Sequence, residues 1–256
     1  PSSAASDVYK RQELHDRNRF EIYGFSLIKL SPEDSMSQRL RSAFDHFYEV
    51  AERSPLEIAQ LARSLEIDIT IDLNGHTQGA QTAVFAYRTA PIQINYLGYP
   101  GTMGATYMDY IIADQHLIPP QNRPFYTEKI IYLPNSFQVN DSKRKKVSSN
   151  LKRLDLNLPS EGFLFCCFNN TYKVNLEMLH TWAEILKQAP NSYLWLLSVA
   201  PSAENNLRNQ ILDLGIESHR LIFAPRLERD AYLERFQMAD LFLDTLPFNG
   251  GTTISD

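Results

Sequence analysis

From about Phe20 to the end of the chain, short runs rich in β-branched and aromatic residues alternate with stretches of helical spacing. No feature of the sequence restricts the fold more. Parallel neighbours cannot be joined by a two-residue turn and need a long crossover, usually a helix. A sustained β-α-β rhythm therefore predicts parallel sheets covered by helices, an α/β protein. Strands are expected at Phe20–Ile28, Ile67–Leu73, Ile92–Leu97, Met108–Ala113 and Lys129–Leu133. Helices are expected at Ser35–Val50, where Leu40, Phe44 and Phe47 share a face, at Pro55–Leu65 and, more briefly, at Ala80–Tyr87. A second alternation follows. It has strands at Phe163–Phe168, Ser192–Leu197, Arg220–Phe223 and Asp240–Asp244, and helices at Asn175–Gln188, Ala203–Leu214 and Arg229–Met238.

Between the two alternations, Asn140–Asn150 is polar and aperiodic and holds the basic cluster Lys143, Arg144, Lys145 and Lys146, which reads as a solvated linker. The expected division is a non-native or disordered leader at 1–12, a partial Rossmann-like lobe at 13–134, a linker at 135–160 and a second partial lobe at 161–256. A helix is expected to begin where the sequence stops, so both lobes are read as truncated. With 43% hydrophobic and 21% charged residues among 256, the chain has enough apolar material for such cores. A net charge of −5 gives no bulk attraction to nucleic acid or to a membrane surface. No apolar run approaches the roughly 20 residues of a membrane helix. The two cysteines, Cys166 and Cys167, are adjacent and read as opposite-facing strand residues, so no disulfide framework or metal-ligand spacing is expected. A reducing, cytoplasmic setting fits that usage. Trp182 and Trp195 fall in periodic apolar segments and read as core, and His116, His180 and His219 read as structural.

Ligands of open α/β sheets bind beyond the carboxyl ends of the strands, and four segments lie there. Asp72-Leu73-Asn74-Gly75-His76-Thr77-Gln78-Gly79 combines proton-transfer groups with glycines that allow close backbone approach; a plain polar turn capped by Asp72 is the alternative. Leu97-Gly98-Tyr99-Pro100-Gly101-Thr102 marks a turn. In Phe168-Asn169-Asn170-Thr171-Tyr172-Lys173 the lysine can neutralise a phosphate, although an N-cap with a solvated lysine accounts equally for the residues. Asp244 to Asp256 runs through Asn249-Gly250-Gly251 into a helix by way of Thr252 and Thr253, offering hydroxyls and backbone N–H groups to a diphosphate. Neither a dinucleotide fingerprint nor a Walker loop is present.

In this order and spacing, the four segments resemble the catalytic region of O-GlcNAc transferases, family 41 of glycosyltransferases, which includes SPINDLY-type proteins. The resemblance runs from about Phe20 to Asp256. It implies a GT-B fold of two Rossmann-like doubly wound lobes facing across a cleft, with a UDP-sugar held mainly by the second. It implies that Lys173 contacts the diphosphate and stabilises the leaving UDP. Asn170 stands near the nucleotide, Thr252 and Thr253 match the phosphate-binding pair, and Asp256 matches the ribose-binding acid. Arg229 stands where a lysine contacts the nucleotide, and Arg235 matches an arginine near the uracil; Asn249 belongs to the matched donor loop. In the first lobe Asp72, His76 and Thr77 match the loop facing sugar and acceptor, with Asp72 or His76 the candidate base, and Leu97, Gly98, Pro100, Gly101 and Thr102 line the sugar site. Two positions depart from the pattern: Tyr232 replaces a histidine that stacks near the base, and Gly251 replaces a histidine before the threonine pair.

The implied activity is inverting transfer of a sugar, GlcNAc from UDP-GlcNAc, to Ser or Thr hydroxyls of proteins, without a cofactor or a required metal. GDP-fucose as donor, or a non-catalytic nucleotide-binding module, are the alternatives. The implied partners are the nucleotide sugar, a protein acceptor, and tetratricopeptide repeats elsewhere in the parent chain.

Overall fold

The structure, a computed structural model, describes residues 11–140 and 150–255. The chain forms two compact units, divided at Arg144 and Lys145, and each is built around parallel sheets.

In the first unit, β1 (Tyr23–Ser26) pairs in parallel with β2 (His46–Glu49) as a two-stranded sheet. Helix α1 (Ser35–Ser42) joins them, its first turn capped by the Asp34 carboxylate, which accepts from Ser37 N–H. The helix expected over Ser35–Val50 is thus only half a helix. Its second half is claimed by β1: Asp45 accepts from Ile22 N–H at 2.7 Å, and the rings of Tyr23 and His46 stack 4.7 Å apart. Cross-strand pairing overrides an i, i+3/i+4 apolar pattern that a turn between two elements satisfies as well as one helix does. Helix α2 (Pro55–Ser64) starts at a capping box, with Ser54 and Glu57 each bonding the other's backbone N–H. A four-stranded parallel sheet follows in the order β3 (Ile69–Asp72), β4 (Ile92–Tyr96), β5 (Tyr110–Ala113), β6 (Lys129–Tyr132), with the short helix α3 (Ala83–Ala86) between β3 and β4. Asp72 and Asn95 are register partners at the carboxyl ends of β3 and β4. Arg11 and Gln12, assigned from sequence to the leader, are part of this unit: the Arg11 guanidinium lies 4.9 Å over the Tyr96 ring, and Gln12 is buried.

The second unit orders its strands β10 (Leu241–Phe242), β7 (Phe163–Cys167), β8 (Ser192–Leu197), β9 (Leu221–Ala224), all parallel. Helices α4 (Leu176–Gln188), α5 (Pro201–Asp213) and α6 (Arg229–Arg235) form the crossovers. Alternation along β7 supplies two cores. Phe165 and Cys167 pack with Trp182 and Leu186 of α4 and Ile211 of α5. Leu164, Cys166 and Phe168 pack with Trp195, Tyr232 and Phe236. The adjacent cysteines therefore face opposite sides, both free and buried, and burial pushes their thiols up to about 12 for Cys166 and about 11 for Cys167. Both tryptophans are core. The chain leaves β7 toward β8 on one side and returns to β10 on the other, so the strand order reverses between β7 and β10. No helix among the described residues is long and apolar enough to cross a membrane.

Candidate functional site

The reversal between β7 and β10 is the topological switch point, where two loops diverge and leave a crevice at the carboxyl ends of the strands. Those two loops are the third and fourth segments singled out in the sequence. The structure binds them to one another. The amide of Asn169, buried at the end of β7, donates to the Asp244 carboxylate (2.8 Å) and the Thr245 hydroxyl (2.9 Å). Asp244 also accepts from Gly250 N–H (2.8 Å) and the Asn249 amide (2.7 Å). Burial raises the Asp244 carboxyl, but these N–H donors outweigh it and hold the group below the usual carboxylate range. Lys173 completes the loop pair: its ammonium donates to the Asn249 carbonyl at 2.8 Å and lies 4.1 Å over the Phe248 ring. Its pKa is lowered by burial, against the opposing pull of Asp244.

The remaining donor-side candidates differ in accessibility. Asn170 is exposed beside the turn Thr171–Lys173, and Arg229 is exposed at the start of α6. Asn249 and Gly251 are exposed, Thr253 is half-buried, and Thr252 is buried at the start of α7 (Thr252–Ser255). Arg235, matched to an arginine near the base, is only 1% exposed. Its guanidinium donates to the Pro225 carbonyl (2.7 Å) and lies 4.1 and 4.6 Å over the rings of Phe168 and Tyr232. That position makes it the support of half-buried Tyr232. Asp256 lies outside the described residues.

In the first unit the loops after β3 and β4 are pressed together. A Cβ on Gly98 would sit 2.0 Å from the Leu73 carbonyl oxygen, and one on Gly75, at φ +58°, would sit 2.4 Å from Cβ of Tyr99. Leu97 makes the entry with positive φ (71°) while its side chain stays in the core. Asp72 Oδ1 accepts from Asn74 and Gly75 N–H at 2.9 and 3.1 Å, as in the capped-turn alternative. Its Oδ2 is buried without a partner, and burial raises its pKa. Asn95, fully buried, donates to the Tyr99 and Gly101 carbonyls (2.9 and 3.2 Å). The Pro100 carbonyl accepts from the Tyr126 hydroxyl (3.1 Å), and the Thr77 hydroxyl donates to Asn74 O. His76 is exposed, its ring edge-on to Tyr99 at 5.2 Å. Its Nε2 lies 3.1 Å from the Met103 carbonyl. Thr102 turns its hydroxyl to the buried Glu128 carboxylate (2.7 Å).

Sequence reading named Asn95 nowhere, Asn169 only within its candidate segment, and Glu128 nowhere. The first two stand at strand ends, where a polar residue in an apolar run is a usable signal. Glu128 lies 26 residues beyond Thr102 and only the fold joins them.

The model described as glycosyl transferase family 41 matches residues 8–152 and 145–256, most of the chain. The chain belongs to this family. It is 38% identical over 248 residues to an Arabidopsis thaliana relative named as a probable UDP-N-acetylglucosamine–peptide N-acetylglucosaminyltransferase SEC, covering 95% of this chain and 25% of that protein. A Caenorhabditis elegans UDP-N-acetylglucosamine–peptide N-acetylglucosaminyltransferase is 25% identical over 359 residues, covering 95% of this chain and 31% of the relative. The chain thus spans about a quarter to a third of the length of these curated relatives. Among solved structures, a Lys-to-Met mutant of the Thermobaculum terrenum O-GlcNAc transferase superposes with a TM-score of 0.89 at 29% identity, covering 98% of this chain and 47% of that one. The fold is accordingly of the GT-B type, as the resemblance implied.

Proposed function

We propose that this chain carries the donor-binding and acceptor-activating groups of an inverting glycosyltransferase, one that moves GlcNAc from UDP-GlcNAc to Ser or Thr hydroxyls of proteins. The observation that carries the reading is the arrangement at the switch point: one lysine held by Asn249, in a loop that runs on through the Gly251 N–H to the hydroxyls of Thr252 and Thr253. Breaking the bond from the anomeric carbon to the diphosphate leaves negative charge on the departing UDP. A preorganised cation and N–H groups at that position stabilise the charge in the transition state. The proposal assigns this work to Lys173 rather than to a metal. The acceptor hydroxyl loses its proton as its oxygen attacks the anomeric carbon from the opposite face. Of the two candidates, His76 suits that role better than Asp72, because His76 is exposed while both oxygens of Asp72 are buried or bonded. Asp72 then shapes its own loop. The names of the relatives support the donor and the acceptor class.

The test is mass spectrometry of acceptor proteins incubated with the enzyme and either UDP-GlcNAc or GDP-fucose. Addition of N-acetylhexosamine to Ser or Thr is expected. Addition of deoxyhexose alone would reassign the donor, and no transfer from either would leave a nucleotide-binding module.

A further inference from the structure

His76 Nε2 faces the Met103 carbonyl, and a carbonyl oxygen can only accept, so Nε2 carries the hydrogen and Nδ1 is the open lone pair. The bond does not end there. The peptide group that presents the Met103 carbonyl also presents Gly104 N–H, which donates to the Thr102 hydroxyl oxygen at 3.1 Å. That hydroxyl in turn donates to Glu128 Oε2 at 2.7 Å. Glu128 is 5% exposed, and its other oxygen accepts from Met103 N–H at 2.6 Å. Among the described residues no cation pairs with it, and its partners are neutral donors.

We propose that Glu128 is a positioning residue for His76, acting through a hydrogen-bond relay that runs from the imidazole across the Met103–Gly104 peptide and the Thr102 hydroxyl to the buried carboxylate. The relay fixes the ring with Nε2–H inward and Nδ1 outward, so that Nδ1 is the atom available to take a proton. Successive hydrogen bonds aligned in one direction polarise one another, and the anion at the end sets that direction. Every link is oriented by its chemistry, because a carboxylate and a carbonyl accept and cannot donate. The sequence hides this relation: Thr102 looks like a sugar-site residue, and Glu128 merely precedes the strand that begins at Lys129.

That Nδ1 takes the acceptor's proton rests on the function proposed above, whereas the relay is a property of the folded chain, and the experiment separates the two. In nitrogen-15 histidine-labelled protein at about pH 8, well above the ordinary imidazole range near 6.5, His76 is expected to show a protonated Nε2, an unprotonated Nδ1 and an Nε2–H slow enough in exchange to be observed. The resonances are assigned by their absence in His76→Gln. Thr102→Val is nearly isosteric and removes the hydroxyl link; it should abolish the slow Nε2–H, while Thr102→Ser should keep it. Glu128→Gln should abolish it as well, since an amide presents a donor to one of two groups that need an acceptor. In active enzyme, Thr102→Val and Glu128→Gln should lower kcat at least tenfold with donor KM within about twofold, and alter the pH profile of kcat. A protonated Nδ1 in the unmodified protein, or a slow Nε2–H that survives in Thr102→Val, overturns the relay. Loss of the Nε2–H with kcat and its pH profile unchanged leaves the relay standing and overturns His76 as proton acceptor.

Discussion

At Lys173 one side chain unites a cation, a hydrogen bond and an aromatic contact, and it is the residue on which the proposed leaving-group chemistry depends. Lys173→Met keeps an unbranched side chain of similar length and removes the ammonium, with its bond to the Asn249 carbonyl and its contact over the Phe248 ring. Turnover in the active enzyme should fall by about 10² or more, the scale for losing a preorganised charge contact in a transition state. Steady-state assays with UDP-GlcNAc check this, and near-normal turnover would remove Lys173 from the mechanism. The two neighbouring glycines make a sharper contrast. A Cβ on Gly250 would lie 2.6 Å from Asn169 Oδ1 and 2.7 Å from the Ile254 side chain, whereas a Cβ on Gly251 would meet nothing within 4 Å. Gly251→His restores the side chain that the family resemblance places there, into open space. A charge-assisted hydrogen bond to a diphosphate contributes about 1.5–3 kcal/mol, so UDP should bind at least tenfold more tightly by calorimetry. Gly250→Ala should weaken UDP binding instead, because Asn169 must move and it anchors Asp244. At this scale the sequence located the loops beyond the strand ends that hold Lys173 and His76, because residue type and position agreed there. It was not legible at Arg235, where a residue of binding type is buried between two rings.

The elements were the most readable level, for a physical reason. Strands covered on both faces and their crossover helices carry their patterns in consecutive residues, so helices at Pro55–Ser64 and Leu176–Gln188 and strands such as Ser192–Leu197 follow from spacing alone. Where an element is decided by a distant partner, spacing misleads. Phe44 and Phe47 complete a helical stripe in the sequence, yet Phe47 belongs to a strand paired with β1. The contribution of these elements to stability is testable at α4. Trp182 is buried between α4 and the sheet with Leu194, Leu196 and Ile211 around it. Trp182→Ala leaves a large cavity and should cost about 3–5 kcal/mol. In urea titrations this appears as a lower midpoint for the second unit. A cost below about 1 kcal/mol would mean that the site collapses around the missing ring. By contrast, Ser54→Ala at the start of α2 removes a capping box and should cost about 1 kcal/mol, read from the first unit's transition.

Across the whole molecule, each of the two units places an aspartate at the carboxyl end of a strand, Asp72 buried and Asp244 half-buried, and their pKa values shift in opposite directions. Asp72, at the end of β3, is raised by burial, with Asn74 and Gly75 N–H only partly offsetting it. Asp244, just beyond β10, is also pushed up by burial, but donors from Gly250, Thr245, Asn249 and Asn169 leave it lowered. The difference lies in the number of N–H groups each carboxylate gathers, which local sequence encodes only in part: Asn169 reaches Asp244 across 75 residues. Linkage fixes the consequence. A carboxyl raised in the fold favours the folded state while protonated. Its contribution is fully present below the unfolded value near 3.9 and is lost as pH rises through the folded value. A carboxyl lowered in the fold contributes above the unfolded value and loses that contribution as pH falls through the folded one. The stability difference between the protein and Asp72→Asn should therefore shrink as pH rises from about 4 toward neutrality, and the difference for Asp244→Asn should shrink as pH falls below about 4. Both tryptophans, Trp182 and Trp195, lie in the second unit, so indole fluorescence during denaturation reports the Asp244 variant, while far-ultraviolet circular dichroism adds the transition of the first unit for Asp72. If the two differences moved with pH in the same direction, the donors around Asp244 would not outweigh its burial, and the anchoring of the donor loop by a charged carboxylate would be wrong.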